Sequence, residues 1–479
     1  MNDSAALVER LARVLGAEVL ETHISWVLLC QEFAYKVKKP VRLPFVDYST
    51  LERRLHFCQE EVRLNRRLAP TLYLGVSSIT GTADQPAVDG SGEPLEYAVR
   101  MRRFPAGALF SEQLESGTLQ PQEVDRLADL LARCHASAPR CAATCAGAPS
   151  AGDRALAAIE GCRTLLGADE HAGLRAWIGA GSRALQALWN ARRAQGKVRD
   201  CHGDLHLANI VSMDGEVAAF DCIEFDPALR WIDILDDAAF ALMDFAARGR
   251  PDLGWRFING WLERTGEYEA LPALRFSVVH RALVRAQVEH LRAPGSAAAL
   301  RYARLALTWS RSSDARLVIT HGLPGSGKTF ASQQLLERQG AVRIRSDVER
   351  KRLFGLRALD DSRAAGLDLY TTETTGRAYA RLFAVARQAL QAGYPVVLDA
   401  AFLRRDERQQ ARALAEELHV PFAIVACDAP LPVLRQRLLG RQGDASEADL
   451  AVLEKLAAVV EPLQRAERAA LVEQAGRNP

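Results

Sequence analysis

The run Gly322-Leu323-Pro324-Gly325-Ser326-Gly327-Lys328-Thr329 constrains this chain more than any other stretch of it. It is a complete G-x-x-x-x-G-K-[ST] pattern, preceded by the apolar run Ala315-Arg316-Leu317-Val318-Ile319-Thr320 and followed by residues of helical periodicity. A buried strand that passes through such a loop into a helix wraps backbone N–H groups around a phosphate. The lysine then reaches the outer phosphates, and the threonine hydroxyl can ligate Mg2+. Gly322, Gly325, Ser326, Gly327, Lys328 and Thr329 are therefore candidate nucleotide contacts, with ATP and Mg2+ as the expected cofactors. Strand patterns at 342–344, 394–398 and 421–426 alternate with helical segments, which calls for a parallel sheet with right-handed crossovers.

Phosphate binding alone does not separate a kinase from an ATPase switch, so the neighbouring residues matter. Ser346-Asp347-Val348-Glu349-Arg350 lies at the carboxyl end of the second strand, where open α/β sheets place ligands. Asp347 is placed to take the proton of an attacking hydroxyl and Arg350 to hold substrate or phosphate. Val396-Val397-Leu398-Asp399 ends in an acid that suits a Walker B-type carboxylate, acting on Mg2+ directly or through a water. Arg435, Arg437 and Arg441 are spaced along a helix and its end, where arginines in a moving segment can close over the γ-phosphate. With these elements the segment resembles the small P-loop kinases grouped with polynucleotide kinase and zeta-toxin-like proteins. The resemblance implies phosphoryl transfer from ATP to a hydroxyl.

A second signature lies upstream. His202-Gly203-Asp204-Leu205-His206-Leu207-Ala208-Asn209 precedes the strand pattern Val217-Ala218-Ala219-Phe220, which runs into Asp221-Cys222-Ile223-Glu224. In a kinase-type catalytic loop one Asp orients and deprotonates the acceptor hydroxyl, and an Asn five residues on binds the metal. A further Asp after a short hairpin holds the metal that bridges the phosphates. Those roles fall to Asp204, Asn209 and Asp221. Lys36, in the strand pattern 33–38, matches the lysine that contacts ATP phosphates, with Lys38 on the same strand face as the alternative. Its acidic partner belongs to the helix that opens near Ser49 with an S-x-x-E capping pattern; Glu61 is favoured over Glu60 because Leu64 and Leu68 place it on the inward side. Met101, after the strand 97–100, is expected at a hinge near adenine. No G-x-G-x-x-G precedes Lys36, and residues 21–25 are the nearest candidate for a phosphate-covering loop.

The pattern from about 15 to 310 resembles aminoglycoside phosphotransferases and the related choline, homoserine and sugar kinases. Together the two segments resemble bacterial fusions of such a domain with an ATP-binding P-loop domain. The resemblance implies an α+β protein-kinase-like domain over 1–310 and a three-layer α/β P-loop NTPase domain over 314–479. It also implies two Mg2+–ATP sites, each acting on the hydroxyl of a small metabolite. Two other readings stand beside this one: a P-loop ATPase that senses nucleotide and gates one catalytic domain, and a polynucleotide 5′-hydroxyl kinase in the second segment.

Composition narrows the partners. A chain of 479 residues has room for two or more cores, and 61 Lys+Arg against 59 Asp+Glu leaves a net charge of +2. That balance gives no electrostatic reason for a long nucleic-acid footprint or an anionic membrane. The N-terminal residues carry no basic-then-apolar leader pattern, and the most apolar early stretch, 24–30, is far short of a membrane span, so a cytoplasmic location is expected. Nine scattered cysteines without metal-ligand spacing suit a reducing compartment; Cys141 and Cys145 read as ordinary small-residue packing. Asp233, Asp236, Asp237 and Asp244 interleave with apolar residues as on a helix that braces the catalytic loop, and His280, Arg281, Arg285 and His290 read as mostly surface. Sequence is silent on the acceptors and on oligomeric state.

Overall fold

The computed structural model describes residues 3–43, 46–141, 149–311, 313–441 and 443–472. Its two compact units are Met1–Ser150 with Ala187–Ala241, and Ala151–Gln186 with Leu242–Pro479. The units gather residues by packing rather than by the chain order of the motifs. Helical segments 151–186 and 242–311 thus belong with the parallel sheet, whereas the sequence pattern changes near 310–314.

The first unit is built on strands β1 (Glu18–Glu21), β2 (Ser25–Leu29), β3 (Phe33–Lys38), the small ribbon β4 (Arg42–Leu43) with β5 (Val46–Asp47), β6 (Tyr73–Gly81), β7 (Pro86–Val88) and β8 (Glu96–Arg102). Six of them form an antiparallel sheet in the order β1-β2-β3-β8-β6-β7. The alternation of 24–38 yields a hairpin of β2 and β3, and the period of two sets Ala34, Lys36 and Lys38 on one face. Within the Gly- and Pro-rich stretch 80–94, β7 forms a short edge strand that opens with Pro86, which an edge tolerates. Helix Leu51–Asn65 packs on this sheet through Cys58 and Val62, in a core with Ala34, Leu72, Val99 and Met101. Its N-cap is Thr50, whose Oγ1 accepts from the Arg53 N–H at 3.3 Å, not Ser49, whose hydroxyl is drawn to Asp47 at 2.6 Å.

Four short strands complete the unit: β9 (Val198–Asp200), β10 (Ile210–Met213), β11 (Glu216–Ala219) and β12 (Trp231–Asp233). β10 and β11 pair as a hairpin whose two-residue turn, Asp214-Gly215, has positive φ at both positions (55° and 78°), as a tight turn matched to strand twist requires.

The second unit carries a parallel sheet in the order β14 (Val342–Arg345), β15 (Val396–Asp399), β13 (Leu317–His321), β16 (Phe422–Ala426). β14 and β15 are almost wholly buried, as strands covered on both faces are. Helix Lys328–Gln339 follows β13 directly through the glycine-rich loop. The unit also holds helices Pro251–Thr265, Leu271–Arg292 and Ala297–Arg311. Here one expectation is corrected: His280, Arg281 and Arg285 are buried, because the second helix is enclosed by its neighbours. Arg285 pairs with Glu289 at 2.5 Å and lies 5.8 Å over the Tyr302 ring.

Among the described residues no helix is long and apolar enough to cross a membrane. Cys141 is disulfide-bonded, and Cys145 lies outside the described residues.

Candidate active sites

In the first unit the Lys36 Nζ donates to Glu61 Oε1 at 2.9 Å and to Asp221 Oδ1 at 2.5 Å. Lys38 Nζ reaches the other oxygen of Glu61 at 2.7 Å and Glu224 Oε1 at 2.5 Å, and the Tyr48 hydroxyl donates to the same Glu224 oxygen. Glu61 is thus shared by both lysines. The two differ in outlook: Lys36 retains some exposure beside Asp221, whereas Lys38 is wholly enclosed. Glu60 turns away to Arg63 at 2.8 Å.

Burial alone would raise the Glu61 carboxyl, but the ammonium groups of Lys36 and Lys38 hold it down at about 2. A carboxyl depressed from its ordinary 4.5 contributes stability above that value and loses it as pH falls toward 2. Unfolding free energy, measured with denaturant across this acid window, is therefore expected to fall with pH more steeply in the native chain than in Glu61→Gln.

The catalytic-loop candidates are fixed from below. Asp237 accepts from the His202 N–H (3.2 Å), the Gly203 N–H (2.9 Å) and His135 Nε2 (3.1 Å), so the acid braces the loop as the interleaved pattern suggested. Gly203 has φ 87°, and a Cβ there would lie 3.0 Å from the Leu229 carbonyl oxygen. Asn209 Nδ2 donates to the Asp204 carbonyl at 3.0 Å, leaving the amide oxygen as the atom that can ligate a metal. Asp221 is a non-glycine residue at φ 64° with a half-exposed carboxylate. Its N–H donates to the Tyr73 hydroxyl (3.1 Å), and the next N–H, of Cys222, donates to Asn65 Oδ1 (2.9 Å); such strain persists only where surrounding bonds over-determine it. The oxygen donors of Asp221, beside the Lys36 ammonium, and of Asn209, whose backbone carbonyl accepts from the Phe220 N–H at 2.9 Å, suit Mg2+ and phosphate. Met101 differs from expectation in place: β8 continues to Arg102, so Met101 is a buried strand residue opposite Ala34 rather than the start of a hinge. Tyr48, Asn65, Tyr73 and the part played by Glu224 were not foreseen.

In the second unit a cavity of about 770 Å3 is lined by Gly325, Gly327, Lys328, Thr329, Asp347, Arg350, Asp399, Arg437 and Arg441, most of the residues named from sequence for that segment. Lys328 Nζ donates to the Leu323 carbonyl at 2.9 Å, and burial lowers its pKa against the pull of Asp399 and Asp347. Asp399, at the end of β15, is 5% exposed and accepts from Ser332 Oγ at 3.1 Å. Asp347 pairs with Arg350 at 2.8 Å, and that guanidinium lies 4.9 Å over the Tyr370 ring. Arg437 donates to the Gly325 carbonyl at 3.0 Å. Arg435 points elsewhere, to Glu454 at 3.2 Å, because adjacent odd positions on a helix lie about 200° apart. Among the described residues Ser326 Oγ is buried without a hydrogen-bond partner, as expected of a loop shaped for phosphate. The oxygen donors Thr329 and Asp399 next to Lys328 fit a Mg2+–nucleotide pair. Sequence reasoning missed Arg345, Ser332, Tyr370 and Asp444; only Arg345, at a strand end beside the S-D-x-x-R element, had a local signal.

Gly322 and Gly325 do not line the loop equally. At Gly322, φ is 148° and a Cβ would sit 2.1 Å from the Cys427 carbonyl oxygen. Gly322→Ala is expected to cost about 3 kcal/mol or more, since backbone must move, and thermal unfolding reads this directly.

Fold and site together define a kinase-like phosphotransferase joined to a P-loop nucleotide-binding segment. Residues 49–276 match the phosphotransferase enzyme family, and residues 317–463 match a family described as an AAA domain. An uncharacterized protein of Mycobacterium tuberculosis is 32% identical over 454 residues, covering 92% of this chain and 89% of that protein, and a Mycobacterium bovis counterpart matches equally. The chain belongs to one family with these mycobacterial proteins. Among solved structures, choline kinase from Cryptosporidium parvum aligns with 65% of this chain and 94% of its own, at 9% identity and a TM-score of 0.41. A sugar kinase from Janibacter aligns with 33% of this chain and 83% of its own, at 20% identity and a TM-score of 0.25.

Proposed function

We propose that the chain holds two Mg2+–ATP phosphotransferase sites, one in segment 1–310 and one in 314–479, each serving the hydroxyl of a small metabolite. What supports this reading is that Lys36 meets Glu61 and Asp221 in the first segment, where Asn209 bonds the Asp204 carbonyl, and that Lys328, Thr329, Asp347 and Asp399 line one cavity in the second. In the first, Asp204 takes the acceptor proton as the hydroxyl oxygen bonds to the γ-phosphorus and the bond to the β-phosphate oxygen breaks; Asn209 and Asp221 hold the metal, Lys36 the phosphates. In the second, Asp347 takes the proton, Arg350 holds the acceptor, Lys328 and the loop N–H groups hold phosphate, and Thr329 and Asp399 hold the metal. Arg437 and Arg441 neutralise charge that grows on the transferred group. Mg2+, when bound, would supply further charge neutralisation at the phosphates.

Wild type, Asp204→Asn and Lys328→Ala should be incubated with ATP and a cell metabolite extract, and mass spectrometry used to find compounds that gain one phosphoryl group. Two product sets, each lost in one variant only, are expected. Loss of both sets in either variant, or ATP hydrolysis with no phosphorylated product, overturns the reading.

A further inference from the structure

At the edge of the parallel sheet one guanidinium faces three carboxylates. Arg345, the last residue of β14, lies 2.7 Å from Asp444, 3.6 Å from Asp399 and 3.8 Å from Glu263. Asp399 is its register partner on β15, and Asp444 follows Arg441 in the segment beyond helix Leu431–Leu439. Glu263 comes from much earlier in the chain, in the last turn of helix Pro251–Thr265, within the stretch that matches the phosphotransferase family and outside the stretch that matches the AAA domain.

That helix is built into the sheet. Asn259 accepts from the Arg343 N–H at 2.7 Å and donates to the Ala341 carbonyl at 2.9 Å, so one side chain occupies the hydrogen-bonding edge of β14 as a neighbouring strand would. Glu263, 8% exposed, also grips Arg343 at 2.7 Å, and Arg343 reaches on to Gln333 of helix Lys328–Gln339 at 2.8 Å. Glu263 is therefore held in place to act on Arg345.

A guanidinium beside Asp399 competes with a divalent cation for the same carboxylate. How strongly it competes depends on what else holds it. With Glu263 and Asp444 both pulling, Arg345 stands back at 3.6 Å from Asp399 and bonds Asp444 instead. Neutralising either acid leaves Asp399 as a larger share of the negative charge that Arg345 meets, and moves it onto the carboxylate.

We propose that Glu263 and Asp444 are positioning residues for Asp399: they hold Arg345 back so that this carboxylate can take the metal that accompanies nucleotide. The P-loop site is then completed by a residue from the other family's segment. This rests on the reading of Lys328 and Asp399 as a nucleotide site given above.

The test uses full-length protein carrying Asp221→Asn, which removes the metal carboxylate of the first site, and measures ADP binding by calorimetry in Mg2+ and in EDTA. Lys328→Ala in this background identifies the binding that belongs to the P-loop. Glu263→Gln is expected to reduce the Mg2+-dependent gain in ADP affinity about 10-fold, the usual scale for an outer-shell partner, with affinity in EDTA unchanged. Asp444→Asn, away from the packed helix, should act in the same direction and decides the matter if Glu263→Gln does not fold. An unchanged Mg2+ gain in the folded variants overturns the positioning role, whatever their melting temperatures. If Lys328→Ala leaves ADP binding intact, the nucleotide-site reading fails and this proposal with it.

Discussion

Lys328→Ala is expected to lower the turnover of the second activity by about 10²–10³-fold, or ~3–4 kcal/mol of transition-state stabilisation, and to leave the first activity unchanged. The ammonium group lies in the cavity with Asp399 and Asp347 close by, and burial lowers its pKa. Phosphate oxygens would replace the Leu323 carbonyl as its partner and favour the charged form, so the interaction strengthens as negative charge develops on the transferred group. Alanine removes that charge and the bond to the Leu323 carbonyl, while the positive φ of Gly322, Gly325 and Gly327 does not depend on the lysine side chain's chemistry. Nucleotide affinity and turnover should fall together, and single-turnover measurement in an Asp204→Asn background isolates the effect.

Asp204→Asn should act on the other activity alone, with a loss of about 10²–10⁴-fold in turnover, the range for removing a general base. Asparagine preserves size and leaves intact the bonds by which Asp237 and Asn209 hold the loop, since those run to backbone N–H and carbonyl groups. ATP affinity at the first site should therefore remain near its native value while turnover collapses. A loss of binding equal to the loss of turnover would show a structural role instead.

Both motifs were legible because phosphate chemistry demands particular residues at short, fixed spacing: 322–329 and 202–209 each carry their geometry within one turn of chain. The parallel sheet was legible for a related reason, since strands buried on both faces write continuous apolar runs. Contacts between distant residues were not. Nothing in the order of residues says that Arg345 meets Glu263, Asp399 and Asp444, or that Lys36 and Lys38 both bond Glu61. Helical spacing could not separate His280, Arg281 and Arg285 from surface residues, because neighbouring helices enclose them. Thr50 in place of Ser49 as the cap, and Met101 within a strand rather than after one, are one-residue matters that only the backbone decides.

The doubled lysine beneath Glu61 bears on control. In kinases that depend on one lysine–glutamate pair, swinging the glutamate's helix outward breaks a single contact and turns the enzyme off. Here the same swing would part Glu61 from two ammonium groups at once and strand the enclosed Lys38 beside Glu224. Parting even one buried pair costs about 3–5 kcal/mol. On the two-site reading, the first site would therefore stand assembled before ATP arrives, and its output would follow the supply of acceptor and nucleotide rather than the posture of a helix.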